Sequence, residues 1–177
     1  MVIKQFQLRM GLTPLEQLAS YKKPDESDWV CVTGLPEEYI PRKLAEKLII
    51  KGGCIILWCT PLDPDILDIQ PKLNRNKDIA LDYPETAESL ESGQEVNNPN
   101  PEGLSGSGVW LVQPNPKENI WHPELFHLIG IQRAWNSKKR ILKATQIKLW
   151  LDLIEKDYPR LSGTLSKKAR SQDMTMD

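Results

Sequence analysis

A glycine-rich run from Gly103 to Gly108 holds the residue types in this chain that are best suited to nucleophilic chemistry. Its serine, Ser105, can attack a carbonyl if a base removes its proton and backbone N–H groups stabilise the resulting oxyanion. Gly103 can adopt φ > 0 and turn its own N–H and that of Ser105 toward one small space, while Gly106 leaves room for a substrate. The spacing therefore suits an oxyanion hole beside a nucleophilic serine. Taken alone, the motif favours a tight turn instead, because glycine and serine dominate turns for local reasons.

The base that Ser105 requires is harder to find. The two histidines, His122 and His127, both come after Ser105, the first in a proline-flanked loop and the second at the start of a predicted strand. A loop histidine is more often a solvated residue than a catalytic base. Without a positioned base, a serine keeps only the roughly thousand-fold acceleration that an oxyanion hole and binding supply. We therefore expect Ser105 alone to be nearly inert.

The cysteines do not predict a metal site. Cys31, Cys54 and Cys59 form no C-x-x-C pair, and both histidines lie far along the chain. We predict neither a metal nor any other cofactor. Because the cysteine count is odd and no apolar leader comes after Met1, we expect reduced thiols and a cytoplasmic protein.

Composition excludes several classes of protein. Hydrophobic residues at 40% and charged residues at 27% are typical of a soluble globular chain. A formal net charge of -1 gives no overall field that would attract nucleic acid or an anionic membrane, so we predict neither as a partner. The longest apolar stretch, Cys54 to Cys59, is far shorter than the about twenty residues that a membrane-spanning helix needs.

Short apolar runs rich in β-branched residues predict the strands that must position the run Gly103 to Gly108, which we call the serine loop. The predicted strands are 29–33, one beginning near Leu44, 54–60, a short edge strand at 78–83, 109–112 and 125–132. The rest of the stretch from Pro61 to Asn100 is predicted to be mostly loop. Apolar spacing predicts a helix from Ala144 to Tyr158, capped by Thr145, and directs Trp110 and Trp150 toward the core.

We divide the chain into three parts. Residues 1–27 form a lead-in with a short helix at 15–21, and residues 28–159 form the main domain. Residues 160–177 carry four basic side chains and little that could pack, so we predict a disordered tail.

The run Pro101 to Trp110 contains the pattern P-x-G-x-S-G and, directly after it, a V-W strand. It resembles the nucleophile loop in the second barrel of the trypsin-like (chymotrypsin-fold) serine peptidases, in particular intracellular bacterial members. Val30 to Pro36 is similar to the family's strand that ends in G-x-P. The resemblance spans about residues 28 to 158 and implies an all-β or β-rich fold, a single antiparallel Greek-key barrel with a C-terminal α-helix.

The resemblance also implies site residues. Ser105 would be the acylating nucleophile, and the N–H groups of Gly103 and Ser105 would form the oxyanion hole. Substrate would contact Asn100 and the strand residues Leu128, Ile129 and Gly130. In the family the general-base histidine and the orienting aspartate lie in the first barrel, upstream, and this chain has no histidine before Ser105.

The sequence is compatible with three hypotheses. In the first, the chain is the nucleophile half of a serine endopeptidase and depends on a missing N-terminal half or a partner for its histidine and aspartate. In the second, it is an inactive pseudo-peptidase that binds peptides or proteins by strand addition. In the third, it is an unrelated β-rich domain with a chance G-x-S-G turn. A lone barrel should expose apolar surface, so we expect a complementary chain or self-association.

Overall fold

A computed structural model describes residues 24–39, 55–89, 92–113 and 125–161. In these ranges the chain forms nine strands, one α-helix and two short 3-10 turns. The elements are β1 (Trp29–Gly34), a turn (Glu37–Tyr39), β2 (Ile55–Cys59), β3 (Pro61–Leu62), β4 (Asp78–Asp82), β5 (Thr86–Glu88), β6 (Glu95–Asn97), β7 (Gly108–Val112), β8 (Phe126–Asn136), β9 (Ile141–Gln146), α1 (Ile147–Asp157) and a second turn (Pro159–Leu161).

Seven strands form one antiparallel sheet in the order β2-β1-β7-β8-β9-β4-β3. Its two edge strands, β2 and β3, are separated along the chain by Thr60 alone, so the sheet curls round until its two edges meet at this residue. Strand β7 returns by a long connection to lie beside β1, which gives the spatial order of a Greek key. The predicted antiparallel barrel with a C-terminal helix is confirmed.

The barrel interior is filled by alternate residues of each strand, as a pleated strand with one buried face requires. The buried core residues are Val30, Val32, Ile55, Leu57, Cys59, Ile79, Leu81, Tyr83, Leu104, Val109, Leu111, Ile129, Leu142 and Ala144. Burying each of the larger aliphatic side chains contributes about 1.5–3 kcal/mol. The core therefore includes Leu104 from the serine loop and fastens that loop to the barrel.

Helix α1 packs on the outside of the barrel, mainly against β8. It buries Ile147 and Leu151 against Leu128, with Trp110 and Ile131 partly buried beside them. Ile154, on the same helical face, is 37% exposed. The helix therefore presents an apolar face that the described part of the barrel leaves uncovered.

The sequence-based prediction for the C-terminal region was partly wrong. Residues 144–146 belong to β9, and the helix begins at Ile147 after Gln146, which makes no side-chain cap hydrogen bond. Pairing with β4 on one side and β8 on the other outweighs the helical spacing here, and it places Ala144 in the core. Trp150 is 44% exposed, and Trp110 lies on the outer face beneath α1, so neither tryptophan points into the barrel as predicted.

Two further differences concern the region predicted to be loop. Strand β4 is not an edge strand, since it pairs with both β3 and β9. Strands β5 and β6 pair with each other as a separate hairpin within the stretch predicted to be mostly loop. The predicted helix at 15–21, the predicted strand near Leu44, and Cys54 lie outside the described residues.

Cys31 and Cys59 are free, buried thiols. Burial raises the pKa of each to about 12, so both stay protonated at neutral pH. No helix within the described ranges is long and apolar enough to cross a membrane.

Candidate active site

The serine loop leads into β7 and is held from two sides. On one side, the Glu37 N–H in the turn after β1 donates to the Glu102 carbonyl at 2.9 Å. On the other, the Gly106 N–H donates to the Gln132 carbonyl at 2.8 Å, and the Gln132 N–H donates to the Ser107 carbonyl at 2.9 Å. The loop is therefore fastened to the turn that follows β1 and to the middle of β8, the two strands that flank β7.

Two glycines give the loop its shape. Gly103 has φ +87° and Gly106 has φ +92°, values that a residue with a side chain rarely adopts. A Cβ on Gly103 would lie 2.6 Å from the Glu37 nitrogen, whereas a Cβ on Gly106 would meet nothing within 4 Å. Gly103 is thus required for both conformation and space, and Gly106 for conformation alone.

The N–H groups of the loop divide into used and unused donors. The Leu104 N–H donates to the Pro101 carbonyl at 3.1 Å, and the Ser107 N–H donates to the Leu104 carbonyl at 2.9 Å. In the described part of the chain, the N–H groups of Gly103 and Ser105 donate no hydrogen bond. Ser105 itself is exposed. Two unpaired donors therefore accompany an accessible hydroxyl, as oxyanion stabilisation requires.

His127 does not lie near Ser105. It is placed opposite Leu111 on β7, five residues along β8 from Gln132, which contacts the serine loop. At about 3.3 Å per residue, five strand residues span about 16 Å, too far for a side-chain hydrogen bond. His122 lies outside the described residues. The described residues therefore bring no histidine to Ser105.

His127 should nevertheless make stability depend on pH. Burial lowers the pKa of its imidazole from the ordinary 6.5, and Nδ1 is buried without a partner among the described residues. The unfolded chain then binds more protons just below pH 6.5, so stability should fall as pH drops from about 6.5 and be regained above it. Urea unfolding between pH 5 and 7 should show this slope, and His127→Leu should flatten it. An unchanged slope in His127→Leu would contradict this assignment.

Of the predicted substrate-contacting residues, one is exposed and three are buried in the structure. Asn100 is exposed next to the serine loop, and its Oδ1 accepts the Glu102 N–H at 3.2 Å. Leu128 is buried under α1, Ile129 is in the core, and Gly130 is buried opposite Val109. Farther along β8, Ile131 pairs with Gly108 and the backbone of Gln132 bonds to Gly106 and Ser107.

Beyond Gln132, β8 has one unpaired side. Strand β7 pairs with β8 from Phe126 to Ile131, whereas β9 pairs with it as far as Asn136. Among the described strands none pairs with residues 134–136 on the side facing away from β9. An extended peptide could add to this edge next to the serine loop.

Sequence reasoning missed Gln132 and Glu37, the two residues whose backbones hold the loop. For Gln132 the sequence did contain a signal, because a polar residue directly follows the apolar residues 128–131. In the structure Gln132 is only 2% exposed. Glu37 carried none, since backbone hydrogen bonds leave no trace in residue type. In the described ranges no group of three or more side chains could hold a metal ion.

In comparisons with known proteins, no family model matches the chain and no curated protein matches it. The likeness to trypsin-like peptidases therefore stays a prediction that rests on the motif at Pro101 to Trp110.

Proposed function

We propose that this chain carries the nucleophile half of a trypsin-like serine endopeptidase site. The observation that supports this best is the pair of unpaired N–H groups, on Gly103 and Ser105, in the same loop as an exposed serine hydroxyl. The Greek-key barrel beneath the loop agrees with the fold that the motif implies.

The chemistry is acyl transfer. A histidine supplied by another polypeptide takes the proton from Ser105 Oγ, and Oγ bonds to the substrate carbonyl carbon. The oxyanion that forms accepts hydrogen bonds from the N–H groups of Gly103 and Ser105. The C–N bond then breaks, the amine leaves with the proton, and water hydrolyses the Ser105 ester. Peptides or proteins are the proposed substrates, and the buried reduced thiols suit the cytoplasmic location that we propose.

Two exposed apolar surfaces support the need for a partner. Trp150 and Leu153 on α1 are 44% and 47% exposed. On β1 and β2, Trp29 and Trp58 meet edge to face with their ring centres 6.0 Å apart, and both are exposed. Exposed aromatic and aliphatic groups of this size are typical of interaction surfaces. A complementary chain carrying the histidine and aspartate, or a second copy, is the proposed occupant.

The proposal is tested by supplying the base from solution. In a high concentration of imidazole, an alkyl fluorophosphonate should label Ser105 at least about 100-fold faster in the folded chain than in urea, because one oxyanion donor is worth about 10²–10³ in rate. Mass spectrometry of the digested protein locates the label.

Two serine variants provide the controls. Ser105→Ala should abolish labelling, whereas Ser107→Ala, which removes a buried hydroxyl from the same loop, should keep it. Equal labelling rates in folded and unfolded chains would overturn the proposal.

The second candidate function is peptide binding without cleavage. The unpaired side of β8 beyond Gln132 favours it, since strand addition needs an edge and no catalytic base. Under this alternative, an extended peptide binds equally well to the wild type and to Ser105→Ala, and imidazole does not accelerate labelling. Acceleration by imidazole favours the peptidase half-site instead.

A further inference from the structure

Arg140 is the last residue of the loop between β8 and β9, and its backbone conformation is unusual for a residue with a side chain. Its φ is +52°, the only positive φ of a non-glycine residue in the described ranges. Glycine or asparagine is preferred at such hairpin positions, because a larger side chain strains the left-handed backbone. The Tyr83 N–H donates to the Arg140 carbonyl at 2.9 Å and holds this backbone in place. Strain kept at a non-glycine residue indicates that its side chain has a role of its own.

The guanidinium group of Arg140 is fixed along one of its edges. Nε donates to the Tyr83 carbonyl at 3.0 Å, and Nη2 donates to the Pro84 carbonyl at 3.2 Å. Cζ lies 5.9 Å from the centre of the Tyr83 ring and 5.4 Å from the centre of the Trp135 ring, within the range in which an aromatic ring attracts a cation. These contacts therefore restrict the orientation of the guanidinium before any ligand binds.

The other end of the guanidinium is unused. Its five N–H donors include two on Nη1 and a second one on Nη2, and these three donate no hydrogen bond to the described residues. Arg75 pairs with Asp65 at 2.7 Å and Arg133 pairs with Asp78 at 2.9 Å, whereas Arg140 has no ion pair in the part of the chain that the structure describes. Of these three arginines, Arg140 alone keeps a charge that no carboxylate neutralises.

The two carbonyl bonds do not by themselves account for arginine at this position. A glutamine amide would place its nitrogen where Arg140 has Nε and could donate to the same carbonyls, without a charge to desolvate beside two rings. Arginine adds a fixed charge and a free pair of donors whose spacing matches the two oxygens of a carboxylate. Lys138 and Lys139, both exposed in the same loop, add positive charge nearby. The free end of the guanidinium is therefore suited to a carboxylate.

We propose that Nη1 and Nη2 of Arg140 bind a carboxylate from outside the chain, with one oxygen on each nitrogen. Two sources supply this chemistry, a small organic acid and the side chain of an acidic residue in a peptide, and the test separates them. The inference does not rest on the proposed function, because it requires neither the Ser105 hydroxyl nor its oxyanion donors.

The test titrates the chain with three probes at constant ionic strength, which keeps screening the same throughout. The probes are acetate, a tripeptide amide with glutamate at its centre, and the same peptide with glutamine there. Calorimetry measures affinity, and the side-chain N–H signals of a chain labelled with ¹⁵N-arginine show where a probe binds. We expect saturable binding of acetate or the glutamate peptide that shifts the Arg140 signals, and no binding of the glutamine peptide. Tighter binding of the glutamate peptide than of acetate identifies a peptide as the ligand, and the reverse identifies a small acid.

Two variants at Arg140 separate its charge from its shape. Arg140→Gln removes the charge and the free end but keeps an amide nitrogen in the place of Nε. It should weaken binding at least about tenfold, because a hydrogen bond to a charged group is worth about this much or more. Arg140→Lys keeps a charge without the paired donors, and its affinity should also be below that of the wild type. Arg75→Gln is the matched control, since the Arg75 guanidinium already pairs with Asp65, and its affinity should equal that of the wild type.

The outcomes are decisive for this site alone. Binding that shifts the Arg140 signals and is weakened in Arg140→Gln supports the inference. Equal binding of the two peptides, no binding of either carboxylate probe, or wild-type affinity in Arg140→Gln would overturn it. If Arg140→Gln does not fold, the Arg140 signals of the wild type decide, because they locate the probe without any substitution. None of these results depends on the labelling of Ser105, so this inference and the proposed function fail separately.

Discussion

Replacing Gly103 with alanine should slow the imidazole-assisted labelling of Ser105 by about 100-fold or more, the value of one oxyanion-hole donor. The new Cβ would lie 2.6 Å from the Glu37 nitrogen and 3.2 Å from its Cα, so backbone must move rather than a side chain. The φ of +87° is also strained for alanine. Both effects displace the Gly103 N–H from its place beside Ser105. The measurement is the labelling rate with the alkyl fluorophosphonate.

Gly106→Ala is the matched control in the same loop. Gly106 has nearly the same φ, +92°, but its Cβ would meet nothing within 4 Å. Backbone strain of about 1–3 kcal/mol should therefore lower stability without moving Gly103. Labelling should stay within about tenfold of the wild type, since the Gly103 donor keeps its place. Equal losses in the two variants would show that the rate reports loop strain and not the Gly103 donor.

Tyr83→Ala should destabilise the fold by about 3–5 kcal/mol, as removal of a large buried aromatic side chain does. Tyr83 is 1% exposed, and its ring meets Trp135 edge to face at 5.6 Å. Its hydroxyl donates to the Pro99 carbonyl at 2.6 Å, which ties the end of β4 to the segment before the serine loop. Burial raises the pKa of this hydroxyl, so it remains a donor at neutral pH. Urea unfolding measures the loss.

Tyr83→Phe isolates the hydroxyl. It keeps the ring and should cost about 1–3 kcal/mol, the penalty for leaving a buried carbonyl unpaired. If Tyr83→Phe were as destabilising as Tyr83→Ala, ring packing would not be the main contribution. If both were neutral, the tie between β4 and the Pro99 segment would carry no stability.

Much of the fold could be predicted from the sequence because it depends on short-range patterns. Residues 55–59 of the apolar run 54–60 and the V-W strand after Gly108 are strands in the structure, whereas Thr60 lies between β2 and β3. The runs predicted β-structure, and the resemblance implied the barrel. Strand β9 could not be predicted, because Ala144 to Gln146 continue the helical spacing of α1, and only pairing with β4 and β8 makes them extended. At residues 144–146, pairing with distant strands therefore outweighs the helical spacing of apolar residues.

In the candidate site, too, local features could be predicted from the sequence and long-range contacts could not. Glycine spacing predicts the shape of the loop around Ser105, and Gly103 does have a positive φ. The resemblance implies substrate contacts at Leu128 to Gly130, which stay a prediction. The backbone hydrogen bonds of Gln132 to the loop were not predicted. The register between β7 and β8 depends on a β-bulge opposite Val109 and Trp110, and the residue types did not predict this bulge.

We propose that the N–H groups of Gly103 and Ser105, which donate no hydrogen bond in the described part of the chain, act together on one oxygen beside the Ser105 hydroxyl. Amide NMR shifts of a ¹⁵N-labelled chain, recorded before and after Ser105 is phosphonylated, test it most directly. We expect the Gly103 and Ser105 N–H protons to move downfield as they donate to the phosphonyl oxygen, while those of Leu104 and Ser107, already bonded to carbonyls, move little. A Gly103 N–H signal that stays in place would contradict the claim.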